Sequence, residues 1–80
     1  MKKTAAIKAR NLIGRRIRRE RLAQKPAVTL EDLAGRLAAR GVYLDRSAIG
    51  RIENQKRYIL DYEIKAVADA LRVSVLDFFR

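Results

Sequence analysis

Cysteine and histidine are both absent from this 80-residue chain. Without cysteine there is no disulfide framework and no thiolate metal site. Without histidine the commonest general base and metal ligand is missing. No nucleophile–base pair and no metal-ligand cluster stands out among the remaining residues, so the expectation is a protein that is not an enzyme and uses no cofactor. Acidic residues are scarce: nine, against 19 Lys and Arg, for a net charge of +10. Aromatic residues make up 6% of the chain. Tyr43, Tyr58, Tyr62, Phe78 and Phe79 are scattered, without the stacking platform that a single-strand binder needs. Long apolar runs are absent too, and nothing approaches the roughly 18 apolar residues of a membrane span. Lys2 and Lys3 make a basic start, but Lys8 and Arg10 interrupt the apolar stretch that a secretory signal requires. A cytoplasmic, nucleoid-associated location is therefore expected. No repeat or low-complexity segment is present.

What is there is a small, strongly basic chain with 49% hydrophobic residues, enough to fold. Its length allows one domain, burying about 60–65% of the unfolded surface. The charge is unevenly spread. Residues 1–25 hold ten Lys and Arg and one acid, Glu20, whereas residues 26–80 hold nine basic and eight acidic residues. Almost all of the excess lies in the N-terminal arm and the first helix. Such asymmetry points to a polyanionic partner, although a solvated, solubilising face is the plainer alternative.

The periodicity predicts an all-α chain of five short helices: a flexible basic arm over residues 1–9, then one domain over residues 10–80. A first helix is expected from Arg10 to Gln24, with Ile13, Ile17, Glu20 or Arg21, and Gln24 on one face. Thr29, with Asp32 three residues on, reads as a capping box for a second helix reaching Arg40. That helix carries Leu30, Leu33, Ala34 and Leu37 as its stripe, and Gly41 is its stop. Asp45 caps a third helix ending near Asn54. Asp61 is the expected cap of a fourth, with the stripe Ile64, Val67, Ala68 and Leu71. Ser74 caps a last short helix that ends in Phe78 and Phe79.

The third helix concentrates the chemistry. Ala48, Ile49 and Ile52 make its apolar face; Arg46, Ser47, Gly50, Arg51 and Asn54 lie opposite at three- and four-residue spacing. The short glycine-containing connection from the second helix to the third suits a helix-turn-helix. In that motif the second helix enters the major groove and touches base edges with its N-terminal residues. Here those are Arg46 and Ser47, with Arg51 one turn on. Arginine bonded bidentately to guanine O6 and N7 contributes about 1–3 kcal/mol of discrimination. Gly50 lies between the two arginines. A mid-helix glycine costs about 0.5–1 kcal/mol against alanine. Its expected use is a close approach of backbone to DNA, with a tolerated surface glycine as the alternative. Arg21 and Glu53 fall beside the apolar faces, one turn after Ile17 and Ile49, and are expected to form a partly buried ion pair. Arg15, Arg16, Arg18 and Arg19 surround the first helix and cannot all face a duplex. Arg15 and Arg16 are the expected phosphate contacts among them.

Several fragments in order resemble the helix-turn-helix repressors of the phage Cro and repressor type, the XRE-like regulators. They are Gly14-Arg15-Arg16-Ile17-Arg18 with Arg21; Thr29, Glu31, Leu33 and Ala34; Ser47, Ile49, Arg51-Ile52-Glu53-Asn54 and Lys56-Arg57; and Ala68-Asp69-Ala70-Leu71, Val73-Ser74 and Phe78-Phe79. The resemblance covers about residues 12–79. It implies a repressor-like DNA-binding domain with a central helix-turn-helix, acting as a homodimer on operator DNA to regulate transcription. It places Arg46, Ser47 and Arg51 at base-reading positions and Asn54, Lys56 and Arg57 at phosphate-contacting ones. It also implies the Arg21–Glu53 pair. Two positions depart from the pattern: Leu30 stands where the family usually has a phosphate-bonding glutamine, and Gln55 where it usually has a glycine.

Two other roles fit the composition. One is an antitoxin that represses its own operon and holds a toxin partner. The other is a helical module whose basic end grips acidic proteins, RNA or anionic membrane. The first helix lacks a clear apolar face opposite its arginines, which disfavours insertion into a membrane surface.

Overall fold

The computed structural model describes residues 9–80, so the arm cations Lys2, Lys3 and Lys8 lie outside the described residues. Within them the chain is all-helical and has no strand. The order is α1 (Gly14–Ala23), α2 (Leu30–Ala38), α3 (Arg46–Glu53) and α4 (Asp61–Leu71), followed by a 3-10 turn at Val75–Phe79. The expected fifth α-helix is therefore a 3-10 turn. The piece is five residues long, and short helical pieces commonly adopt the tighter form. Ser74 still caps it: its Oγ accepts from the Leu76 N–H, and Asp77 accepts from the Ser74 N–H. No helix among the described residues is long and apolar enough to cross a membrane.

The helix ends show which side chains control them. Thr29 and Asp32 form the reciprocal box at the start of α2. The nearby Thr29 hydroxyl first, and then the hydrogen bond from the Thr29 backbone N–H, hold the exposed Asp32 carboxyl below its ordinary pKa. Asp45 Oδ1 accepts from the Ala48 N–H at 2.7 Å and caps α3. At α4 the sequence expectation is corrected by one residue. Leu60 occupies the cap position, Glu63 accepts from its N–H at 2.9 Å, and Asp61 is the first helical residue. α2 stops at Ala38 rather than Arg40, because the Val42 N–H folds back to the Leu37 carbonyl around Gly41 at φ 80°.

α1 begins at Gly14, four residues later than periodicity predicts, and Asn11 is the reason. Its Oδ1 accepts from the N–H groups of Ile13 and Gly14, which ends the helix ladder there. Its Nδ2 donates to the carbonyls of Ile52 at 2.9 Å and Arg57 at 2.8 Å. One buried amide thus caps α1 and ties it to the far end of α3. Gly14 lets the two helices meet so closely: a Cβ there would collide with the Ile52 carbonyl oxygen.

The core is a single cluster. Ile13, Ile17, Leu33, Leu37, Ile49, Ile52, Leu71 and Phe78 are fully buried. Burial of each such side chain is worth about 1.5–3 kcal/mol before entropy is counted. α3 packs between α1 and α2; α4 packs on α2 and α1; the terminal turn closes over α1 and α4. α4 buries a wider arc than its expected stripe, since Glu63, Ala66 and Ala70 are buried with Val67, Ala68 and Leu71, while Ile64 is only partly covered.

Candidate nucleic-acid interface

α3 is divided cleanly by the core. Ala48, Ile49, Ile52 and Glu53 are buried; Arg46, Ser47, Arg51 and Asn54 are exposed, and Gly50 lies at the boundary. Among the described residues Arg46 and Arg51 make no ion pair and no side-chain hydrogen bond. Arg46 is the first residue of α3, the end at which the helix dipole disfavours a cation by about 0.3–1 kcal/mol. A cation kept there without a partner is a local cost with no structural return.

Glu53 turns the other way. Its carboxylate takes a forked pair of hydrogen bonds from Arg21, Nε to Oε2 at 2.7 Å and Nη2 to Oε1 at 2.8 Å. Arg21 Nη1 donates a third bond, to the Val28 carbonyl at 2.7 Å. The two side chains are 8% and 4% exposed, so the pair is buried rather than partly buried. Hydrogen bonding to Glu53 raises the Arg21 pKa further, and the guanidinium stays charged at any ordinary pH. The pair joins α1 to α3 and, through Val28, to the strap leading into α2. Every buried side-chain nitrogen or oxygen among the described residues has a partner.

Two open grooves flank the outward face of α3. The one toward α1 is lined by Arg15, Arg18, Leu22, Leu30, Gly50 and Asn54, among others. The one toward the start of α2 is lined by Thr29, Leu30, Glu31, Arg46, Ser47 and Arg51, with Gly50 and Asn54 again. Leu30 and Gly50 belong to both, so the grooves meet over them. Glu31 is the one exposed acid of this surface, held in the first turn of α2, where the dipole favours it.

The arginines of α1 differ in their partners, and Arg19 both lines the groove and reaches the C-terminal turn. Arg15 and Arg18 face α3; Arg15 Nε also donates to Gln55 Oε1 at 2.9 Å. Arg16 and Arg19 reach the C-terminal turn. Arg16 donates to the carbonyls of Arg80 and Leu12, and Arg19 to the Asp77 carbonyl and to Glu20. Of the two expected phosphate contacts on this helix, Arg15 stands beside α3 and Arg16 does not. Arg18 and Arg19 line the groove with Arg15, and the spacing carries the signal: 15, 18, 19 and 22 lie three and four residues apart along one helical face.

The segment after α3 also differs from expectation. Lys56 is exposed and makes no ion pair among the described residues. Arg57 is half-buried and committed to the scaffold, bonding Glu63 Oε1 at 3.2 Å and the Tyr58 carbonyl at 2.9 Å. Gln55 adopts φ 61°, the left-handed conformation that glycine takes without penalty and that costs other residues about 1–2 kcal/mol. The departure from glycine leaves the helix end unaltered, since the Lys56 N–H still returns to the Arg51 carbonyl. The Gln55 side chain offsets the strain by bonding the Asn11 carbonyl and Arg15. Just upstream, the Arg10 N–H donates to the Gln55 carbonyl, and its guanidinium lies 5.6 Å from the Tyr58 ring centre. Asn11 does not stand out in the sequence, and Leu30 stands out there only as a departure from the family pattern. Searches of protein-family models, of curated proteins and of solved structures found no match to this chain.

Proposed function

We propose that this protein binds double-stranded DNA at a specific sequence and regulates transcription, acting as a repressor in two copies on a two-fold operator. What supports this above all is the outward face of α3, where Arg46 and Arg51 stand exposed and without protein partners while every apolar and acidic side chain of the helix is turned inward. α3 is a short helix of eight residues; an α-helix with its side chains is about 10–12 Å across and fits a major groove about 12 Å wide. In this arrangement Arg46 and Arg51 bond guanine edges, and Ser47 contacts a base or a phosphate. Gly50 keeps the backbone close to the groove floor. Arg15, Arg18, Asn54 and Lys56 hold the flanking phosphates. The Arg21–Glu53 pair and Asn11 fix the tilt of α3 against α1, so that the reading face is rigid before DNA arrives.

The test is a duplex titration at two salt concentrations, with a site selected from a random pool and with random sequence. Three cationic phosphate contacts per copy predict that log affinity falls with log salt with a slope of roughly −3 per bound copy. The selected site should also bind far more tightly than random duplex. A slope near zero, or equal affinity for both duplexes, would exclude sequence-specific DNA binding.

A further inference from the structure

An apolar spot lies in the middle of the charged face. Leu30 is the first residue of α2, half-buried, with part of its side chain open at the junction of the two grooves. Gly50, on α3, faces it: a Cβ there would stand 3.9 Å from Leu30 Cδ1. Because Gly50 has no side chain, the leucine methyl stays uncovered. Arg15 and Arg18 border this spot on one side, Arg46 and Arg51 on the other. Four arginines around so small an apolar spot favour a polyanionic partner. A duplex suits this arrangement, because the phosphates match the ring and the major groove carries one protruding apolar group, the 5-methyl of thymine.

We propose that Leu30 is a specificity-determining residue that reads the 5-methyl group of a thymine. It does so through the notch left open by Gly50, with the arginines on either side taking phosphates and neighbouring guanines. This rests on the DNA-binding reading given above. It makes the sequence choice of the protein depend on α2 as well as on α3, and on a contact that carries no hydrogen bond.

The experiment replaces each thymine of a selected half-site in turn by deoxyuridine, which removes only the methyl group, and follows binding by fluorescence anisotropy. With the wild-type chain one position per half-site should weaken binding about fourfold, the value of one buried methyl-sized group. With Leu30→Ala and with Leu30→Gln, thymine and deoxyuridine at that position should bind equally well. Both variants are checked for wild-type helicity by circular dichroism. A flat deoxyuridine scan with the wild-type chain overturns the proposal without reference to any variant. So does a thymine preference that survives both substitutions. In either case a continued preference for the selected duplex over random sequence leaves the DNA-binding reading standing. Loss of that preference in the wild-type chain removes both.

Discussion

Arg15 and Arg16 are adjacent, chemically identical and oppositely employed. Arg16 and Arg19 spend their guanidinium hydrogens on carbonyls of the C-terminal segment, and Arg57 spends its own on Glu63. Among the described residues Arg15, bonded only to Gln55, and Arg18 border the groove along α3, and Arg46 and Arg51 stand there without partners. One group of arginines is part of the scaffold; the other is presented. A count of positive charge cannot separate the two, because a net of +10 describes both equally. The partner of each guanidinium separates them, and helix geometry decides that partner.

The sharpest contrast is within α3 itself, between buried Glu53 and the exposed arginines, and the largest expected effect lies there. Glu53→Gln leaves Arg21 as a buried cation with a weakened partner, at a cost of about 3–5 kcal/mol. A domain of this size is stable by about 4–12 kcal/mol in total, so roughly a quarter or more of its stability would be lost. Thermal denaturation should show a large drop in Tm before any change in DNA contacts can be measured. An unchanged Tm with lost DNA binding would place Glu53 in the reading face and dissolve the contrast.

Arg46→Ala and Arg51→Ala should do the reverse. Each should weaken binding to the selected site by about 1–3 kcal/mol. Random-sequence affinity and Tm should stay near wild type. Equal losses on both duplexes would make these residues phosphate contacts. A smaller effect separates the two groups of α1. Arg18→Ala should flatten the salt dependence by about 0.9 in slope, as expected for one phosphate contact, while Arg16→Ala should leave the slope unchanged. Identical slopes in the two variants would mean that the faces of α1 are not distinguished by DNA.

Much of this was legible before any coordinates. The caps at Thr29, Asp45 and Ser74 lie where the sequence places them, because a capping side chain acts within three residues of itself. The Arg21–Glu53 pairing could be read because both residues fall one turn beyond buried isoleucines. The rest depends on contacts that no local pattern encodes. Asn11 shortens α1 by bonding the carbonyls of Ile52 and Arg57, more than forty residues away. Arg57, an expected phosphate contact, is tied to the scaffold because Glu63, six residues on, holds both it and the start of α4. Gln55 shows that a left-handed position need not be glycine when a side chain is supported from two sides.

The smallest effect asks whether the glycine of the reading face serves the fold or the ligand. Nothing in the packing requires Gly50: its φ is not positive, and an added Cβ would meet only Leu30, at ordinary van der Waals distance. Gly50→Ala should therefore stabilise α3 by about 0.5–1 kcal/mol and raise Tm. The same methyl would cover Leu30 and hold the helix backbone away from the groove floor, so affinity for the selected duplex should fall while the free protein becomes more stable. A gain in both would show that the glycine is a tolerated surface residue. A loss of stability would mean that the two helices meet more tightly at Leu30 than a 3.9 Å approach allows. Opposite signs for stability and binding are expected only if the scaffold leaves this position open for DNA.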